Sequence, residues 1–95
     1  MLKKIATFKD KDTHDFFFGK RIKEWEKFSE SARSKLKILN RIGSLQELTN
    51  AFDARLHKLH GDRKGQYAIR INSQYRICFY WIKNYAHEVE ITDYH

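Results

Sequence analysis

Apolar and polar residues alternate with a period of two through the C-terminal part of the chain. In Gln66–Asn72, Tyr67, Ile69 and Ile71 fall on one side, and Ala68, Arg70 and Asn72 on the other. Tyr75–Lys83 repeats the pattern, with Tyr75, Ile77, Phe79 and Trp81 against Arg76, Cys78 and Tyr80. A period of two predicts strands with two distinct faces. Arg55–His60 and His87–Thr92 read as the flanking strands, with Val89 and Ile91 facing inward. Gly61-Asp62-Arg63-Lys64-Gly65, Asn72-Ser73-Gln74 and Asn84-Tyr85 read as the turns between them. Strands joined by such short turns predict an antiparallel meander.

The N-terminal part has a different period. Ala32, Leu36, Leu39 and Ile42 recur at helical spacing, and Arg33, Lys35, Lys37 and Arg41 occupy the other face. Ser29 or Ser31 is the expected N-cap of this helix and Gly43 its end. Asp12 or Thr13 is expected to cap a shorter helix that runs through Phe16, Phe17 and Phe18 and closes at Gly19. Trp25 and Phe28 lie on an amphipathic segment between the two. Ser44 starts a further turn, Leu45–Leu48, and Leu2–Phe8 reads as an edge strand. Helices followed by strands give an α+β class. One sheet face is expected to pack on the helices. The other, carrying Arg70, Arg76, Glu88 and Glu90, stays free. The Phe16–Phe18 cluster and the Tyr75/Ile77/Phe79/Trp81 stripe are expected as core.

Composition narrows the picture. The 95 residues include no proline and four glycines, so a single domain, 1–95, is expected without a linker. A domain this small has little room for a deep pocket, and a surface groove is the expected site. Lys and Arg number 19 against 12 for Asp and Glu, a net charge of +7 that attracts polyanions. The single cysteine, Cys78, excludes an internal disulfide and an all-cysteine zinc site, and fits a reducing, cytoplasmic setting. Met1–Phe8 has no apolar signal-peptide region, and no apolar run is long enough to span a bilayer, so no membrane partner is expected.

Three features carry candidate chemistry: His57-Lys58-Leu59-His60 leading into Gly61-Asp62-Arg63, Arg76 in mid-strand, and the terminal Asp93-Tyr94-His95, where the last residue also bears the chain's carboxylate. RNA cleavage needs a base for a 2′-hydroxyl, an acid for the leaving 5′-oxygen and a cation for the phosphate. His suits both proton roles near neutral pH. Arg suits the phosphate through its planar fork. A carboxylate such as Asp93 can orient a histidine, and an exposed tyrosine such as Tyr94 can stack on a base. Plainer readings compete. A cross-strand ion pair with Glu88 or Glu90 would account for Arg76. His57 and His60 can be surface residues, the tail can be frayed, and Arg63 can be simply solvated. His57, His60, Asp93 and His95 could also hold a metal, although their spacing is not a recognised zinc pattern.

Taken together, Leu56-His57-Lys58-Leu59-His60-Gly61-Asp62-Arg63, Gly65–Asn72, Gln74–Phe79 and Val89–His95 resemble the HigB toxins of the RelE/ParE group. The resemblance is strong over Leu56–His95 and looser over Met1–Ala51, where the helix pattern, Ser44–Leu48 and the overall length agree. It implies the RelE-like fold, N-terminal helices packed on a curved antiparallel sheet. It implies a ribosome-dependent endoribonuclease that cuts mRNA without a metal or other cofactor. It also implies a HigA-like helix-turn-helix antitoxin as partner in a hetero-oligomer. By position His57 matches a family catalytic histidine, Arg76 the arginine that holds the scissile phosphate, and Asp93, Tyr94 and His95 the functional terminus. His60, Arg63 and Arg70 are the expected RNA contacts. The family often has lysine at the place of His60. A histidine loses its charge near neutrality, so activity is expected to fall above about pH 7 if His60 serves there. A flat profile of cleavage against pH through that range would remove the idea. Two rivals remain open: a ParE-like toxin that poisons gyrase, and a non-enzymatic RNA-binding module.

Overall fold

The alternating segments pair as the short turns require. A computed structural model describes residues 4–93. Its strands are β1 (Leu56–Lys58), β2 (Gln66–Arg70), β3 (Tyr75–Ile82) and β4 (Tyr85–Asp93), in one antiparallel sheet of order β1-β2-β3-β4. The helices α1 (Lys11–Phe17), α2 (Ser29–Leu39) and α3 (Leu45–Phe52) precede it. This is the α+β meander expected from the sequence.

The core lies between the helices and one sheet face. Ile69, Ile77, Phe79, Val89 and Ile91 from the sheet meet Phe16, Leu36, Leu39, Leu48 and Phe52 from the helices. Tyr75 and Trp81 pack against this cluster, so the expected stripe on β3 is core. The phenylalanine cluster divides. Phe16 is fully buried, Phe17 lies half-buried at the core margin, and Phe18 is 60% exposed.

The helix starts differ from expectation. Asp10, not Asp12 or Thr13, caps α1, and its carboxylate accepts from the Thr13 amide at 2.7 Å. Thr13 is buried instead, and its Oγ1 accepts from the Ile91 amide at 3.1 Å, which ties α1 to β4. Neither Ser29 nor Ser31 caps α2. A 3-10 helix, Lys23–Phe28, runs straight into it, so the Ser29 amide already has a partner in Glu26. The helix stops at Leu39 rather than near Gly43. Asn40 Oδ1 there accepts from the Lys4 and Ile5 amides. Ser44 does cap its helix, as expected, but α3 runs on to Phe52 because Leu48 and Phe52 both reach the core.

The strand ends also differ. Arg55 closes a 3-10 turn, Asp53–Arg55, and β1 is only three residues long. The glycine-rich turn contains a 3-10 segment, Gly61–Arg63, with Gly61 and Gly65 at φ of 66° and 96°, a region that suits glycine. β2 stops at Arg70, because the Ile71 and Asn72 amides both turn to the Tyr75 carbonyl. The last turn is Lys83-Asn84, with φ of 50° and 69°, and Tyr85 already belongs to β4. Positive φ at both central residues matches the twist of a two-residue hairpin.

Leu2–Phe8 is not a regular strand over its described part. Ile5 and Phe8 make isolated parallel bridges to Ala86 and Val89, and residues 1–3 lie outside the described residues. With α1, this segment covers the outer edge of β4, an edge that would otherwise offer unpaired backbone groups. Glu88 also departs from expectation. It adopts φ 51° in a bulge, where the pairing steps from Cys78↔Glu90 to Tyr80↔His87. Glu88 therefore drops out of the regular alternation that would place it beside Glu90 on the free face.

Candidate functional site

Register decides which side chains share the free face. Arg76 stands opposite Arg70 on β2 and Thr92 on β4. Cα atoms so paired lie about 5 Å apart. Two arginines directly opposed on one sheet face repel each other and weaken the sheet. The next row across the sheet is His57, Ala68, Cys78 and Glu90. His57 thus reaches the same face as Arg76 from the edge strand, where it is exposed.

The glycine-rich turn folds over this face. A notch of about 420 Å³ is lined by Leu59, His60, Asp62, Arg63 and Arg76. Three residues singled out from sequence, His60, Arg63 and Arg76, therefore border one opening. Arg63 is held from below. Its Nη1 donates to Glu90 at 2.5 Å and to Gln66 Oε1 at 3.0 Å. Glu90 is nearly buried and also meets Lys9 Nζ at 3.7 Å. The hydrogen bond to Glu90 raises the Arg63 pKa above its usual value. The carboxylate expected beside Arg76 is thus engaged by Arg63 and Lys9. An arginine and a glutamate 27 positions apart are joined only when the turn packs on the sheet. Arg70 is exposed, and its Nε donates to the Asn72 carbonyl at 3.3 Å.

Asp93 is placed differently. It stands opposite Tyr75, one residue out of phase with Thr92, and its carboxylate accepts from Gln74 Nε2 at 2.9 Å. The Asp93 side chain does not line the notch. Tyr94 and His95 lie outside the described residues. Among the described residues, no three His, Cys, Asp or Glu side chains gather as metal ligands would.

Cys78 lies fully buried beneath this face. Burial pushes its thiol above the ordinary range, against the opposing pull of Arg76 and Arg63. The thiolate is the reactive form, so Cys78 is expected to resist an alkylating reagent at neutral pH in the native fold and to label fully in denaturant. Mass spectrometry of the two samples checks this, and rapid native labelling would contradict it.

A profile of RelE-like toxins of the type II toxin–antitoxin system HigB matches residues 6–95. The chain belongs to this HigB-like toxin family. The fold bears the relation out, since a HigB-like toxin is expected to place helices on an antiparallel sheet. Membership of a type II system implies an antitoxin partner. A search of curated proteins found no match. Among the described residues of this HigB-like chain, no helix is long and apolar enough to cross a membrane.

Some residues of the site were not singled out from the sequence. Gln66 and Lys9 help to hold the Arg63–Glu90 pair. Gln66 lies on the free face with Ala68 and Arg70, and no local pattern marks it, because its burial comes from the glycine-rich turn folding over that face.

Proposed function

We propose that this HigB-like toxin is a ribosome-dependent endoribonuclease that cuts mRNA and so blocks translation. One observation carries the reading. Arg76, directly opposed to Arg70 across the sheet, lines a notch that His60 and Arg63 also border. Two guanidiniums on one face can both donate to a phosphodiester, whose oxygens match their planar forks.

The chemistry needs no group beyond the side chains of the chain. A base removes the proton from a 2′-hydroxyl, and the 2′-oxygen attacks the adjacent phosphorus. The bond to the 5′-oxygen breaks, and an acid protonates that oxygen as it leaves. His57 and His95 share these proton transfers, assisted by Asp93. Arg76 stabilises charge on the crowded phosphate. His60, Arg63 and Arg70 engage backbone phosphates, and Tyr94 stacks on a base. The ribosome supplies the geometry of the mRNA, and positioning contributes much of the rate. A HigA-like helix-turn-helix antitoxin is the neutralising partner in a cytoplasmic hetero-oligomeric complex.

Primer extension on mRNA in programmed ribosomes tests the reading, with EDTA present and naked RNA alongside. Cleavage in the decoding site on ribosomes alone is the expected result. Intact mRNA in both samples would overturn it. Loss of DNA supercoiling activity by gyrase in the same extracts would then favour the ParE-like alternative.

A further inference from the structure

The bulge in β4 changes which side chains face the RNA. Val89 and Ile91 are buried against the helices. Unbroken alternation would send His87 and Tyr85 to that same side and leave Ala86 on the free face. The extra residue at Glu88 reverses this. His87 pairs with Tyr80, Tyr85 pairs with Ile82, and Ala86 is fully buried opposite Trp81. The reversal puts a non-glycine residue at φ 51°, a conformation that L-residues adopt at a cost. Bulges of this kind recur beside functional sites, where they re-aim side chains. Strain held at one residue is a reason to ask what it positions.

What it positions is an aromatic platform. Tyr80 and His87 lie side by side and half-buried on the face that carries Arg76. Tyr85 is 36% exposed next to them, with Lys4 Nζ 4.4 Å from its ring centroid. The backbone of Gly65 rests against one side of Tyr80, since a Cβ built there would lie 3.5 Å from Tyr80 Cε1. The ring is only half-buried, so part of its surface stays open to solvent. Rigid aromatic surface beside lysine and arginine is the chemistry that takes unpaired bases, because every base has a stacking face and every phosphate a charge.

We infer that Tyr80 and His87 form a second nucleotide subsite, which stacks an unpaired base of the RNA strand held at Arg76. The inference rests on the RNA-cleaving reading for the identity of the strand. Tyr80 lies four positions after Arg76 on β3, about 13 Å along an extended strand. The stacked base therefore belongs to a neighbouring nucleotide and not to the one being cut. Tyr80 and His87 are positioning residues. They hold the strand in line without touching the reacting atoms.

The test is binding of two probes to the purified protein, followed by fluorescence anisotropy at low salt. One is a 2′-O-methyl hexaribonucleotide, which cannot be cleaved. The other is the same backbone with every base removed, so its charge is unchanged. The wild type is expected to prefer the base-bearing probe, and Tyr80→Ala to reduce that preference about tenfold. His87→Ala is expected to reduce it less, and Tyr80→Phe to restore it. Affinity for the abasic probe is expected to stay constant, which separates lost stacking from a damaged fold. Equal binding of both probes by the wild type would overturn the inference, as would a preference that survives Tyr80→Ala. Ribosomal cleavage assayed in parallel keeps the two readings apart. Cleavage without a Tyr80-dependent preference removes the subsite alone. A Tyr80-dependent preference without cleavage supports the subsite and removes the nuclease reading.

Discussion

Replacing Arg76 with alanine should lower mRNA cleavage by about 10²–10³-fold, the range found when one group that stabilises transition-state charge is removed. Growth arrest on induction should disappear with it. The fold should survive, for a reason the register supplies. Arg76 points to the free face, while its neighbour Ile77 carries the core contact and is fully buried. The residue directly across from Arg76 on β2 is Arg70, which carries the same charge. Stability should change by no more than about 1 kcal/mol, the scale of a cross-strand pair. Arg76→Lys should recover only part of the activity, because an ammonium keeps the charge but not the planar fork. Primer extension and a thermal melt of the same preparation check both halves. Full toxicity of Arg76→Ala would end the assignment.

Phe79→Ala should give the opposite result, a protein lost through instability rather than an intact inactive one. Phe79 is fully buried at the centre of the sheet. Its ring stacks near Tyr67, with centroids 6.1 Å apart and planes at 20°. Emptying such a site costs about 3–5 kcal/mol, the lost transfer energy plus a cavity. A domain of this length has roughly 5–14 kcal/mol in total. At least about a fifth of its stability would go. Denaturant melts should show a much lower midpoint with an unchanged slope, and the protein should accumulate poorly in cells. A midpoint within error of the wild type would mean that the sheet–helix core is not organised around Phe79. The two substitutions lie three residues apart on one strand but on opposite faces, so the pair also tests the orientation of β3.

The orientation of β3 and the class of the fold were legible in the sequence, because alternation is a property of each strand by itself. Tyr75, Ile77, Phe79 and Trp81 have the period of two, and all four belong to the core or its margin. Ala32, Leu36 and Leu39 have the helical period, and all are fully buried. Glycines mark the turn after β1 because positive φ is needed there. His60, Arg63 and Arg76 could be chosen as candidates by residue chemistry, and they do meet at one notch.

Tertiary structure decided the rest. Whether Glu90 would hold Arg76 or Arg63 depended on how the glycine-rich turn packs across the sheet, and no local pattern encodes that contact. The cap of α1 went to Asp10 because Thr13 was drawn into the core to bind the Ile91 amide. The contact of Asp93 with Gln74 followed from the register of β3 with β4. His87 and Tyr85 escaped notice as members of the free face because sequence alternation assumes an uninterrupted ladder. The bulge at Glu88 breaks that assumption, and one added residue exchanges the faces of everything on its far side. Local periodicity thus determined the elements and their buried faces. The contacts between distant segments fixed the register, and the register determined which charged and aromatic groups stand together.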